Sequence, residues 1–91
     1  MGIPPESIDA SLRILRDLGA TRVVLFGTGL RDPARARDLD LGCRGLSPTG
    51  FLNAVGELLD RVAVPVDLVD LSDDTPFTRM VEERGRVLYE R

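Results

Sequence analysis

The chain has no histidine, no lysine and a single cysteine among its 91 residues, so its 12 basic side chains are all arginine. Without histidine and with one thiol, the usual nitrogen and sulfur shell of a zinc site cannot be assembled from this chain. A Ser-His-Asp triad, a Schiff-base lysine and the phosphate-gripping lysine of a P-loop are excluded on the same ground. What is left for a metal is carboxylate oxygen, which suits hard ions such as Mg²⁺ or Mn²⁺. Long apolar runs are missing too, and no cationic-then-apolar leader pattern stands at the N-terminus, so the expectation is a cytoplasmic protein with no membrane contact. With a net charge of −3 and no basic patch, direct nucleic-acid binding is not expected either. The length allows one domain over residues 1–91.

What is present centres on the stretch from Val23 to Cys43, VVLFGTGLRDPARARDLDLGC. It reads as a buried strand over 22–26, a Gly27-Thr28 turn opening a short helix, an arginine-rich loop and a second strand carrying Asp38 and Asp40. Strand side chains alternate between faces, so Asp38 and Asp40 share one face about 6.5–7 Å apart, while Leu39, Leu41 and Cys43 share the other. Cys43 is therefore read as a small buried thiol. Two full charges at that separation repel by roughly 2.5 kcal/mol at an effective dielectric of about 20, a burden that a cation between them relieves. A glycine ending a buried strand lets the chain turn sharply and frees N–H groups for anionic oxygens, with the Thr28 hydroxyl as a further donor. Arg31, in the loop that follows, is a candidate to meet phosphate, since guanidinium matches phosphate oxygens in a bidentate way, against the plainer reading of a solvated loop with scattered charge.

The remainder supplies the scaffold. A helix begins at Pro4-Pro5 with Ile8, Leu12, Leu15 and Leu18 at helical spacing and stops at Gly19. Ser47 and Pro48 start a second long helix, expected to bury a broad side of Phe51, Leu52, Val55, Leu58, Leu59 and Val62. The run Val66 to Leu71, VDLVDL, is apolar on both faces and reads as an interior strand. A buried carboxylate without a partner costs several kcal/mol, so Asp67 inside that run is the better candidate to share an ion with Asp38 and Asp40, against the plainer reading of a salt bridge to arginine. Asp70 lies near the polar exit at Ser72, where a turn can satisfy it. Thr75 and Pro76 begin a short helix closed by Gly85, and RVLYER is a last strand or ordered tail, with Val87 and Tyr89 on one side and Leu88 on the other. The order predicts a small α/β (α+β) domain, a mixed β-sheet flanked by helices.

LFGTGLRD, DLDLG, VDLVDL and the terminal GRVLYER together resemble the minimal nucleotidyltransferases, the smallest members of the DNA polymerase β-like superfamily, over nearly the whole chain. The resemblance implies that superfamily's nucleotidyltransferase fold. It also implies a phosphate-holding turn at Gly27 and Thr28, with threonine in place of the family's serine, and Arg31 at a position where the family has arginine. Asp38, Asp40 and Asp67 match its metal-binding and catalytic carboxylates. Two Mg²⁺ ions would then bind ATP and orient an acceptor hydroxyl for in-line attack on the α-phosphorus, with Asp67 placed to take the hydroxyl proton. Such short chains are similar to the antitoxins of toxin–antitoxin pairs whose partner is an all-helical HEPN toxin. The implied activity is transfer of AMP from ATP to a tyrosine hydroxyl of that toxin. The alternative is an antitoxin that neutralises its partner by binding alone; homo-oligomerisation is left open.

Overall fold

Local signals set the helices. In the computed structural model, which describes residues 2–91, α1 (Pro5–Asp17) starts behind Pro4. It buries Ile14 and Leu15 together with two serines, Ser7 and Ser11. Ser11 Oγ donates to the Ser7 carbonyl at 2.7 Å, so a small polar side chain is satisfied within its own helix while the sheet comes close. Leu18, expected to complete the apolar stripe, is instead the C-cap and is 38% exposed, because the chain has already begun to turn at Gly19.

β1 (Arg22–Phe26) and β2 (Leu39–Arg44) form the centre of a four-stranded sheet in the order β3-β2-β1-β4. β1 is antiparallel to both β2 and β4 (Arg86–Glu90), whereas β3 (Val66–Asp70) runs parallel to β2. Between β1 and β2 lies α2 (Thr28–Arg31); α3 (Pro48–Arg61) and α4 (Pro76–Arg84) flank β3 in sequence. The expected mixed sheet flanked by helices is therefore observed.

Period-2 alternation divides the sheet into two packed faces. Val23, Leu25, Leu39, Leu41 and Cys43 join Leu15, Ala54 and Leu58 in the main core under α1 and α3. On the other face Val24, Leu71 and Val81 form a smaller core beneath α4, with Phe26, Val69 and Met80 around it. Gly42 permits this packing, since a Cβ there would stand 2.9 Å from the Leu71 side chain that lies across it.

The caps lie where the sequence places them. Ser47 Oγ accepts from Gly50 N at 3.0 Å, and Thr75 and Thr78 form a reciprocal capping box at the start of α4. Three other expectations are corrected. The VDLVDL run forms an edge strand over Val66–Asp70, whose residues are only partly buried or, at Asp67, exposed, and only Leu71 just beyond the strand is buried. α3 buries a narrower stripe than its apolar content suggests: Leu52, Val55 and Leu59 are 72%, 41% and 81% exposed, because the helix meets the sheet through Ala54 and Leu58. In β4 a register irregularity opposite Val23 and Val24 breaks the alternation, so Leu88 and Tyr89 both pack on the main core while Val87 is exposed.

Candidate functional site

The site lies at the sheet edge where β1 ends and β2 and β3 begin. Phe26, the last residue of β1, is in register with Asp40 of β2, and Asp40 is in register with Asp67 of β3. In a parallel pair, in-register residues present their side chains on the same face. The two carboxylates consequently come within hydrogen-bonding reach of each other on the face that carries α4. Burial, followed by the negative charges of Asp67 and Asp38, holds the Asp40 carboxyl above the ordinary carboxylate range.

Asp38 is placed differently from its expected position. It occupies a bend just before β2 rather than the strand, and it is exposed. Its charge reaches Asp40, but no ladder partner holds its side chain in place. As the side chains stand, no three histidine, cysteine or acidic groups among the described residues converge closely enough to hold a metal ion. Asp67 does share the Asp40 side of the sheet, though its tolerance there comes from edge exposure rather than from an ion in a sealed interior. Asp70 is satisfied as expected: its carboxylate accepts from Ser72 N at 2.9 Å and from Ser72 Oγ at 2.7 Å.

Gly27 closes the site from the β1 side. Its backbone, at φ 73° and ψ −154°, is in a region that essentially only glycine occupies. A Cβ on this residue would overlap Asp40 Oδ2, so the bare Cα is what lets the carboxylate lie against the turn. The amides of Leu30 and Arg31 both return to the Gly27 carbonyl at 3.1 Å, and Asp32 N donates to Thr28 O at 2.8 Å. The Thr28 and Gly29 amides precede these bonds in the first turn, and Thr28 is exposed.

Arg31 is exposed and forms no ion pair within 4.0 Å among the described residues. It stands at the rim of a cavity of about 430 Å³ that Phe26, Gly27 and Leu30 line from one side and Phe77, Met80 and Arg84 of α4 from the other. These α4 residues are absent from the sequence-derived site, because nothing local to a short helix shows which turn its sides meet.

A second cavity, of about 410 Å³, lies at the opposite end of the strands beside Arg44 and Glu82. Four of its charged groups are paired, Arg44 with Glu82 at 3.1 Å and Arg79 with Asp74 at 2.7 Å, while Asp73 and Glu83 on its lining form no ion pair within 4.0 Å among the described residues. That region ties α4 to the sheet through the Arg44–Glu82 pair.

The fold has clear counterparts among solved structures of minimal nucleotidyltransferase (MNT) antitoxins in complex with their toxins. The chain is similar to a chain of the toxin–antitoxin MntA-HepT, with 19% identity, 97% of this chain and 74% of that chain covered, and a TM-score of 0.70. It is similar to one in a toxin–antitoxin solved with AMP-PNP, at 21% identity, 91% and 73% coverage and a TM-score of 0.73. A third match is to the complex of a tri-AMPylated Shewanella oneidensis HEPN toxin with its MNT antitoxin, at 20% identity, 94% and 71% coverage and a TM-score of 0.70. At this level of identity the likeness is one of fold. No protein-family profile matches the chain and no curated protein matches it in sequence.

Proposed function

We propose that this chain is a metal-dependent nucleotidyltransferase that acts as an antitoxin, moving AMP from ATP to a tyrosine hydroxyl of a HEPN-type toxin. The observation that carries the reading is the Asp40–Asp67 pair, two carboxylates in register against a glycine turn whose shape admits no side chain. The fold counterparts support it, since one is a complex with AMP-PNP and another contains an AMPylated HEPN toxin.

The donor chemistry fits a hard divalent cation. Asp40 and Asp67 are oxygen ligands already drawn together at an unfavourable electrostatic cost, and Asp38 is exposed on a bend from which its side chain can swing in. Mg²⁺ held by these three would neutralise phosphate charge and ease loss of the acceptor's proton. The chain's own residues do the rest. The Thr28 amide and hydroxyl and the Gly29 amide donate to phosphate oxygens, and Arg31 offers a guanidinium to the same group. Asp67, open to solvent at the sheet edge, is accessible to an acceptor presented by another protein and takes its hydroxyl proton. The acceptor oxygen bonds to the α-phosphorus, the bond from that phosphorus to the bridging oxygen breaks, and pyrophosphate leaves.

One observation favours a second reading, neutralisation by binding without transfer: the three carboxylates do not stand closed around an ion site. A single experiment separates the two. With Mg²⁺, labelled ATP and the co-expressed HEPN partner, the wild-type chain labels the partner and the Asp38→Ala/Asp40→Ala double variant does not. Equal labelling by the double variant rejects the enzyme; no labelling by either, with the partner still neutralised, establishes the binding module.

A further inference from the structure

We infer that the cavity between α2 and α4 is the purine site of the nucleotide substrate, with Phe77 stacking on the base and Arg84 donating to its ring nitrogens. The inference rests on the nucleotidyltransferase reading and extends it to residues on a helix that contributes nothing to the acidic cluster.

Position is the first argument. The cavity, about 430 Å³, falls in the range of small-molecule sites and shares Gly27 with the carboxylate cluster. A ligand whose phosphates occupy the Gly27–Thr28 turn can therefore place its other end in the cavity without leaving the protein surface. Phe26 links the two regions, being in register with Asp40 and lining the cavity.

Chemistry is the second. The floor is apolar, from Phe26, Leu30 and Met80, and Phe77 packs against Phe26 edge-on, with ring centroids 5.9 Å apart and planes at 76°. That T-shaped contact leaves Phe77 47% exposed, with part of its ring free to meet a ligand. Two guanidiniums, Arg31 and Arg84, flank the floor, and neither forms an ion pair within 4.0 Å among the described residues. The other arginine of α4, Arg79, is taken up by Asp74. A flat heteroaromatic ring bearing acceptor nitrogens fits such a lining, since stacking serves its faces and guanidinium donors serve its edge. The lining side chains supply donors and no acceptor, so they serve the ring nitrogens that adenine and guanine share, and none of them accepts from an exocyclic amino group.

Calorimetric titration in Mg²⁺ with ATP, GTP, CTP and inorganic tripolyphosphate tests the assignment, using the wild-type chain, Phe77→Ala, Phe77→Leu and Arg84→Ala. Both purine nucleotides, ATP and GTP, are expected to bind the wild type more tightly than CTP or tripolyphosphate. Phe77→Ala should weaken ATP by about tenfold or more and Phe77→Leu by nearly as much, while tripolyphosphate changes less than about twofold. Arg84→Ala should weaken ATP likewise and spare tripolyphosphate. Melting curves establish that each variant is folded, and Phe77→Leu preserves the packing on Phe26. Unchanged ATP affinity in all three variants overturns the assignment, as does an equal loss for tripolyphosphate, which would give the cavity to the phosphates. Unchanged ATP binding with lost labelling of the partner would give it to the acceptor tyrosine instead. If the wild type binds tripolyphosphate as tightly as ATP, the purine site fails and the nucleotidyltransferase reading stands; if it binds neither, both fail.

Discussion

Gly27 and Asp40 are bound to each other by exclusion: a methyl group on the glycine would overlap the Asp40 carboxylate, at a backbone conformation of φ 73° that side chains rarely adopt. The turn and the acidic cluster are thus one structure, because any residue that filled the turn would displace the carboxylate the cluster depends on. Gly27→Ala is expected to cost roughly 1–3 kcal/mol of stability from backbone strain. It should also weaken ATP binding more than that strain explains, since Asp40 must move. Thermal denaturation and ATP titration of the same sample check both parts.

Asp40→Asn is expected to raise the melting temperature of the metal-free protein by a few degrees. The carboxyl is disfavoured in its charged form by burial and by Asp67 and Asp38, so it lies above the ordinary range in the folded state. A carboxyl raised on folding favours the folded chain at low pH, and that contribution disappears as pH rises through the raised value. The neutral amide keeps it at all pH. The same variant should lose any stabilisation that Mg²⁺ gives the wild type, which melting curves with and without Mg²⁺ at neutral pH will show.

Glu82 ties α4 to the sheet through Arg22 at 3.0 Å and Arg44 at 3.1 Å. Burial by itself would raise its carboxyl, but the hydrogen bonds from the two arginines outweigh this and hold it below the usual range. A carboxylate lowered in this way stabilises the fold above its unfolded value, about 4.3, and the contribution is lost as pH falls through the folded one. Glu82→Gln should accordingly cost on the order of 1 kcal/mol at pH 7, with the difference from wild type closing below about pH 4. Urea titrations across that range measure it.

The two leucines Leu58 and Leu59 adjoin in sequence and differ entirely in surroundings, at 2% and 81% exposure. Leu58→Ala should destabilise the protein by about 2–5 kcal/mol through the cavity it leaves in the main core. Leu59→Ala should change stability by less than about 0.5 kcal/mol. Chemical denaturation of the pair is the measurement.

Cys43 is 1% exposed in the main core, and burial, with the Asp70 charge beside it, pushes its thiol up to about 12. Reaction with a maleimide at pH 8 should therefore proceed only as the protein unfolds, and its rate should rise with urea in step with the loss of structure.

Helix starts and strand segments are legible in the sequence because local rules specify them, whereas Asp38, expected on the strand, falls on the bend before it. Ser47-Pro48 and Thr75-Pro76 carry their caps with them, and alternation along DLDLG sends Leu39 and Leu41 inward whatever neighbour the strand acquires. The glycine at position 27 belongs with these, since a buried strand that must turn at once into a helix calls for a residue free of Cβ constraints. What needed the tertiary structure was every relationship between distant segments. The apolar run of β3 suits an interior strand and an edge strand equally, and only its pairing with β2 made it an edge and set Asp67 opposite Asp40. The exposure of Leu52, Val55 and Leu59 likewise depends on which side of α3 meets the sheet, a choice that helical periodicity leaves open when apolar residues cover more of the helix than its neighbours can cover. Phe77 and Arg84 came to Gly27 in the same way, brought across the sheet by a helix whose own pattern specifies a buried side without specifying what lies beneath it.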